Sequence, residues 1–324
     1  MEYTSVFAPY IIGLIEQKQA LGYKYISQAG ILKRFDTFCT KRYPDSTSLT
    51  RQIILDWTTR LPAEHSGTLQ GRITPVKELA RYMVRLVRDA FILPKGLMPR
   101  IPRYVPYIYS NNELKRIFAQ TDCCRYCSIV PYRHFVMPIF FRLLYCCGLR
   151  LGEARLLKVK DVDLLQGIIT VTNAKLDKHR QLPVSSQLLE RLKVYHRNVH
   201  LTSCQEDWFF PGNSNKPMTM GNVEKNLRRF LWQGGISHGG RGKGPRVHDF
   251  RHTMAVHCLR RWVLEKKNLR AYLPVLQAYL GHVSLSDTCY YLHLTADLFP
   301  NITEQVERAF GGIIPKAGGY DENY

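Results

Sequence analysis

No apolar run in the 324-residue sequence approaches the roughly 18 residues that a membrane-spanning helix requires. The amino terminus, MEYTSVFAPY, lacks the basic-then-apolar layout of a secretory signal. The chain is therefore expected to be soluble and to stay in the cytoplasm. A disulfide framework is missing too: nine cysteines, an odd number, are scattered as Cys39, Cys123, Cys124, Cys127, Cys146, Cys147, Cys204, Cys258 and Cys289, which points to reduced thiols. The Cys123-Cys124-x-x-Cys127 cluster, with His134 beyond it, has no second ligand pair of the kind structural zinc needs, and no metal site is expected. There is no P-loop, no acidic metal triad, no internal repeat and no low-complexity tract. Acidic residues are scarce, 26 against 46 Lys and Arg, which leaves a formal charge of +20.

The positive excess calls for a partner. Self-repulsion on this scale opposes folding, and a polyanion whose counterions are released on binding is the usual compensation. Residues 1–103 carry 16 basic and 8 acidic groups, and residues 104–324 carry 30 and 18. Both halves are basic, so no single tail accounts for the charge. A nucleic acid is favoured over an anionic membrane surface, because no long basic amphipathic helix with an aromatic apolar face is present. With 45% hydrophobic and 11% aromatic residues, the chain can pack an interior and is not disordered. Its length favours two domains.

The first hundred residues predict four helices: Val6 to Lys24, Ile26 to Arg42, Gln52 to Arg60 and Pro75 to Phe91, each with apolar residues at helical spacing. Residues 93–109 then hold Pro94, Pro99, Pro102 and Pro106, which forbid a continuing helix and mark a linker. Ser110-Asn-Asn-Glu113 is a capping box that opens a new helix. Beyond it, helix and strand mix. Phe135 to Cys147 reads as an apolar helix closed by Gly148, and residues 167–172 and 180–184 read as a hairpin around a polar turn. The Gly-rich basic stretch 234–245 is either a solvated loop or a phosphate cradle using Arg241 and Lys243. Two helices, Val247 to Glu265 and Leu273 to Leu280, follow, the second stopped by Gly281.

Four short stretches belong together: Gly148-Leu-Arg-Leu-Gly-Glu153, Lys175 in the hairpin, His248-Asp-Phe-Arg-His252, and Leu280-Gly-His282 followed nine residues later by Tyr291. In order and type they resemble the tyrosine recombinase (phage integrase, λ-integrase-like) family over roughly residues 105–310. The resemblance implies a mainly α fold with a small β-sheet: a helical, SAM-like core-binding domain over 1–103 and a mixed α/β catalytic domain over 104–324, with a tail from about 296.

The chemistry of these residue types agrees. A phosphodiester is shielded by its own negative charge, so attack on it needs positive donors where charge builds up. Arg150 and Arg251 offer guanidinium forks for that purpose, and His282 is a further donor. His248 and Arg251, three apart on a helix, share a face, and an imidazole there suits acceptance of a phenolic proton. The resemblance implies Tyr291 rather than Tyr290 as nucleophile, since the family's spacing from His282 falls on Tyr291.

By resemblance, Lys175 is the general acid, with Lys178 the competing candidate. Glu153 is a scaffold for the Arg150 loop, and Asp249 orients its neighbours. His252 and His257 have no assigned role. Lys178, Arg180, Arg241 and Lys243 are candidate DNA contacts.

The resemblance implies a site-specific DNA recombinase of the integrase or transposase type. It would cleave and rejoin duplex DNA through a 3′-phosphotyrosyl link, needing no metal, nucleotide or other cofactor because the link conserves the bond energy. It also implies a homo-oligomer, a tetramer on two DNA sites, with room for accessory or directionality proteins. Val306 and Phe310 in the tail would anchor it on a neighbouring protomer or on its own domain. A type IB-like topoisomerase and a catalytically silent DNA-binding accessory protein are the alternatives. No arm-binding module is expected ahead of the core-binding domain.

Overall fold

A computed structural model describes residues 2–98, 104–173, 178–212, 216–240 and 244–295. The chain divides into two compact units, 1–104 and 105–324.

The first unit has four helices: α1 (Ala8–Ala20), α2 (Ile26–Arg42), α3 (Arg51–Thr58) and α4 (Ser66–Arg85). In α2, Leu32, Phe35 and Cys39 recur at helical spacing and are buried, each large side chain contributing roughly 1.5–3 kcal/mol. Phe35 meets Trp57 of α3 edge-on, ring centres 5.1 Å apart. Asp36 is buried on the same helix and accepts from the Thr4 and Ser5 backbone amides, both at 2.9 Å, which ties the amino-terminal segment to α2. Helix α4 begins nine residues before the expected start and carries Pro75 inside it. Burial of Leu69 and Ile73 outweighs the poor helix propensity of Gly67, Gly71 and Pro75.

The second unit opens with α5 (Asn111–Asp122), where Ser110 and Glu113 form the expected capping box. Helix α6 (Arg133–Cys146) is the apolar centre, with Phe140 and Phe141 wholly buried. After α7 (Leu151–Arg155) comes an antiparallel sheet in the order β1 (Val162–Asp163), β2 (Ile168–Asn173), β3 (Lys178–Pro183). Its register sets Ile169 opposite Leu182 and Val171 opposite Arg180. Helices α8 (Ser186–Val199) and α9 (Met220–Gln233), not foreseen from the sequence, follow. Last come α10 (Asp249–Leu264), α11 (Leu269–Leu280), α12 (Leu285–Cys289) and a 3-10 segment, Tyr290–Leu294. Phe250 of α10 stacks on Tyr109 at 4.8 Å and tilts against Phe141 at 5.6 Å. This packing fixes the start of α10, and with it the site, against the core. Among the described residues no helix is long and apolar enough to cross a membrane.

Candidate active site

Two glycines shape the site's backbone. Gly148 ends the α6 turn at φ +57° and Gly281 ends α11 at φ +67°, both in the left-handed region that a Cβ disfavours. These turns aim main-chain carbonyls inward. Arg251 of α10 donates from Nη1 to the Gly148 carbonyl and from Nη2 to the Leu280 carbonyl, each at 2.7 Å. With 1% of its surface exposed, Arg251 is an interior residue. Burial, followed by the Arg150 charge, lowers its pKa to about 10, so it stays cationic at neutral pH.

Arg150 follows Gly148 in extended backbone just ahead of α7. Its amide donates to Glu153 Oε2 at 2.8 Å, its Nη1 to Glu153 Oε1 at 2.7 Å and its Nη2 to the Gly281 carbonyl at 3.2 Å. The side chain is 38% exposed, so one guanidinium is sealed in the interior and the other opens outward.

Tyr291, in the last 3-10 segment, is 2% exposed. Its hydroxyl lies 3.2 Å from His252 Nδ1, and the charge of Arg251 acts on it as well. Burial raises the phenol pKa above its ordinary value despite the opposing pull of Arg251 and Arg150, so the resting phenol is neutral. His282 faces the Tyr291 ring at 6.0 Å, nearly parallel, and its Nδ1 is 2.8 Å from Thr288 Oγ1.

The imidazoles are uncharged at neutral pH. Burial, then Arg251 and Arg150, pushes His282 down to about 4. Burial, then His248 and Arg251, pushes His252 to about 3. Partial desolvation and the charges of Arg251 and Arg150 lower His248 to about 4, although that residue keeps an exposed face. The His248 and His252 rings meet edge-on at 4.6 Å.

Five of the six expected residues, Arg150, His248, Arg251, His282 and Tyr291, thus converge. The sixth, Lys175, lies outside the described residues, as do Arg241, Lys243, Val306 and Phe310. Lys178 opens β3 opposite Asn173, and its side chain is outside the description. Arg180, a candidate DNA contact, instead spends its guanidinium on Glu153 and on the Tyr279 carbonyl. His252, which has no role assigned from the sequence, is the imidazole on the phenol. Its spacing of four from His248 places both on one helix face and could have signalled it. The Cys123-Cys124-x-x-Cys127 stretch holds free thiols, with Cys124 Sγ accepting from Arg133 Nε at 3.3 Å.

Two arginines, a neutral imidazole placed to donate, an imidazole pair placed to accept a proton and a phenol around one point can stabilise a pentacoordinate phosphoryl group and attack it. The phage integrase family model matches residues 110–297. A putative integrase/recombinase of Sinorhizobium fredii, y4rB, is 30% identical over 94% of this chain and 98% of its own. Tyrosine recombinase XerA of Pyrococcus furiosus is 30% identical over 65% of this chain and 64% of its own. Among solved structures, the Tn1549 transposon integrase in complex with transposon right end DNA aligns with a TM-score of 0.63 at 15% identity, covering 89% and 94% of the two chains. XerH recombinase bound to difH in a post-cleavage complex aligns at 0.62 and 19%, covering 87% and 77%. By the span of the family match, and by the relative that runs nearly its whole length, the chain belongs to the phage integrase family, the tyrosine recombinases.

Proposed function

We propose that this recombinase cleaves and rejoins duplex DNA at specific sites by transesterification at Tyr291. The observation that carries the reading is the convergence of Arg150, Arg251, His282 and the Tyr291 hydroxyl on one locus. In the first step Tyr291 Oη bonds to phosphorus and the bond to the 5′ oxygen breaks. Arg251 and Arg150 offset the charge gained by the non-bridging oxygens. The phenol proton enters the His248–His252 pair at His252 Nδ1, the acceptor nearest the hydroxyl. Thr288 donates to His282 Nδ1, which keeps the His282 proton on Nε2 as a neutral donor to phosphate. Lys175 protonates the departing 5′ oxygen, a role that rests on its position in the family motif. A second 5′ hydroxyl then attacks the phosphotyrosine and reverses the chemistry.

Because Tyr291 is almost shut off from solvent, productive DNA binding must shift the 3-10 segment that bears it. Strand exchange between two sites uses four such centres, which makes a tetramer on two duplexes the working assembly. The basic excess in both units, 16 against 8 and 30 against 18, suits a protein whose two parts both grip phosphate. A duplex nicked beside the scissile phosphate tests the reading. The protein should become covalently joined to it, Tyr291→Phe should not, and Tyr290→Phe should retain the reaction. Trapping by Tyr291→Phe that is lost in Tyr290→Phe would name the wrong tyrosine, and trapping by both would remove the mechanism.

A further inference from the structure

Arg180 sits on β3 opposite Val171, two residues before Leu182. Strand alternation gives it the inward face that buries Val171 and Leu182. Only 13% of its side chain is exposed. Its Nη1 and Nη2 donate to Glu153 Oε1 and Oε2 at 3.0 and 2.8 Å, and its Nε to the Tyr279 carbonyl at 3.1 Å. The same two carboxylate oxygens also accept from the Arg150 amide and Nη1, at 2.8 and 2.7 Å. One carboxylate therefore serves two guanidinium groups, one turned inward and one turned outward.

The sharing matters for charge. A carboxylate paired with Arg150 alone would neutralise it and hold its guanidinium away from a phosphate. With Arg180 present the trio carries one net positive charge, and the exposed member is Arg150. Burial works to raise the Glu153 pKa, but Arg180, ahead of Arg150, more than reverses it and holds the carboxyl at about 2. The turn beneath is built around this pairing: a Cβ on Gly281 would lie 2.9 Å from Arg180 Nη1, while the Gly281 carbonyl accepts from Arg150.

We propose that Arg180 is a positioning residue that balances the charge of Glu153, so that Arg150 keeps its positive charge for the scissile phosphate. The proposal rests on the functional reading above. The test is single-turnover cleavage of a nicked duplex bearing either the natural phosphate or a methylphosphonate, whose neutral centre no longer needs that charge. Arg180→Gln should cleave the phosphate about 100-fold more slowly, the scale of losing one preorganised donor. On the methylphosphonate its deficit should shrink to within about threefold, and Glu153→Gln added to Arg180→Gln should restore phosphate cleavage about tenfold by removing the unbalanced carboxylate.

Wild-type rates in Arg180→Gln, equal deficits on the two substrates, or no recovery in the double variant would each overturn the role. Arg180→Lys keeps the charge without the fork and guards against a failure to fold. Its phosphate-to-methylphosphonate rate ratio should match that of the unchanged protein, and a ratio about tenfold lower would overturn charge balancing. If the unchanged protein binds DNA but forms no covalent product, the functional reading itself falls. A normal Arg180→Gln overturns the role of Arg180 alone.

Discussion

His252 Nδ1 stands 3.2 Å from the Tyr291 hydroxyl, so the phenol of the resting protein already has an imidazole partner. His252→Asn removes the acceptor without emptying the site. Covalent joining to a nicked duplex should slow about 100-fold, within the usual range for a general base. If His252→Asn reacts at the normal rate and only His248→Asn is slow, the proton does not enter at His252.

Thr288 is fully buried, and its hydroxyl is 2.8 Å from His282 Nδ1. Thr288→Val preserves the shape but frees the tautomer of His282. Cleavage should fall about 10-fold to 100-fold, and Thr288→Ser should recover most of it. Equal rates in the Val and Ser variants would show that the hydroxyl does not set the imidazole.

The pH dependence of stability has a definite sign. His248, His252 and His282 have pKa values lowered to about 4, 3 and 4, below the roughly 6.5 of an unfolded chain. As the pH falls, the unfolded state therefore takes up protons first. The stability these groups contribute is complete above about pH 6.5 and is lost as the pH falls through 4 towards 3. Thermal melting followed from pH 7.5 to 4.5, values set by that window, should show a falling midpoint. His252→Gln should flatten the fall, and an unchanged slope would count against burial of a neutral imidazole there.

Gly281→Ala should damage both fold and chemistry. The left-handed φ of +67° costs a non-glycine residue about 1–3 kcal/mol. The added Cβ would also press on Arg180 at 2.9 Å. A lowered melting midpoint should accompany slower cleavage. A variant that melts normally and cleaves normally would show that this turn can relax.

Much of the fold was legible because its signals are local. Helix α2 has the expected bounds, Ile26–Arg42, and the Ser110 capping box opens α5 as expected. Helix starts are less legible where tertiary burial outweighs local propensity. The sequence starts one helix at Pro75 and another at Leu273, yet α4 begins at Ser66 and runs through Pro75, and α11 begins at Leu269 under an Asn268 cap.

The site shows the same division. Arg150, His248, Arg251, His282 and Tyr291 are each weak signals alone and were legible through the family resemblance of their motifs, and the structure brings them together. Arg180, a candidate DNA contact by sequence, turns its guanidinium to Glu153 and the Tyr279 carbonyl; a cation on a short basic strand resembles a DNA ligand until the strand register is known. Period-two alternation with Leu182 was the available clue. Thr288 gave no signal, since a lone hydroxyl acquires meaning only from the imidazole it meets.

The two carbonyls held by Arg251, one at the end of α6 and one at the end of α11, bear on how an inactive form of this protein can arise. Without that guanidinium both carbonyls would be left buried and unpaired, a penalty that undermines the domain itself. Loss of Arg251 would therefore yield a protein that neither folds well nor competes for DNA. A decoy that still occupies its site but cannot cut comes more readily from a change such as Tyr291→Phe, where the chemistry is removed while this internal strut stays intact.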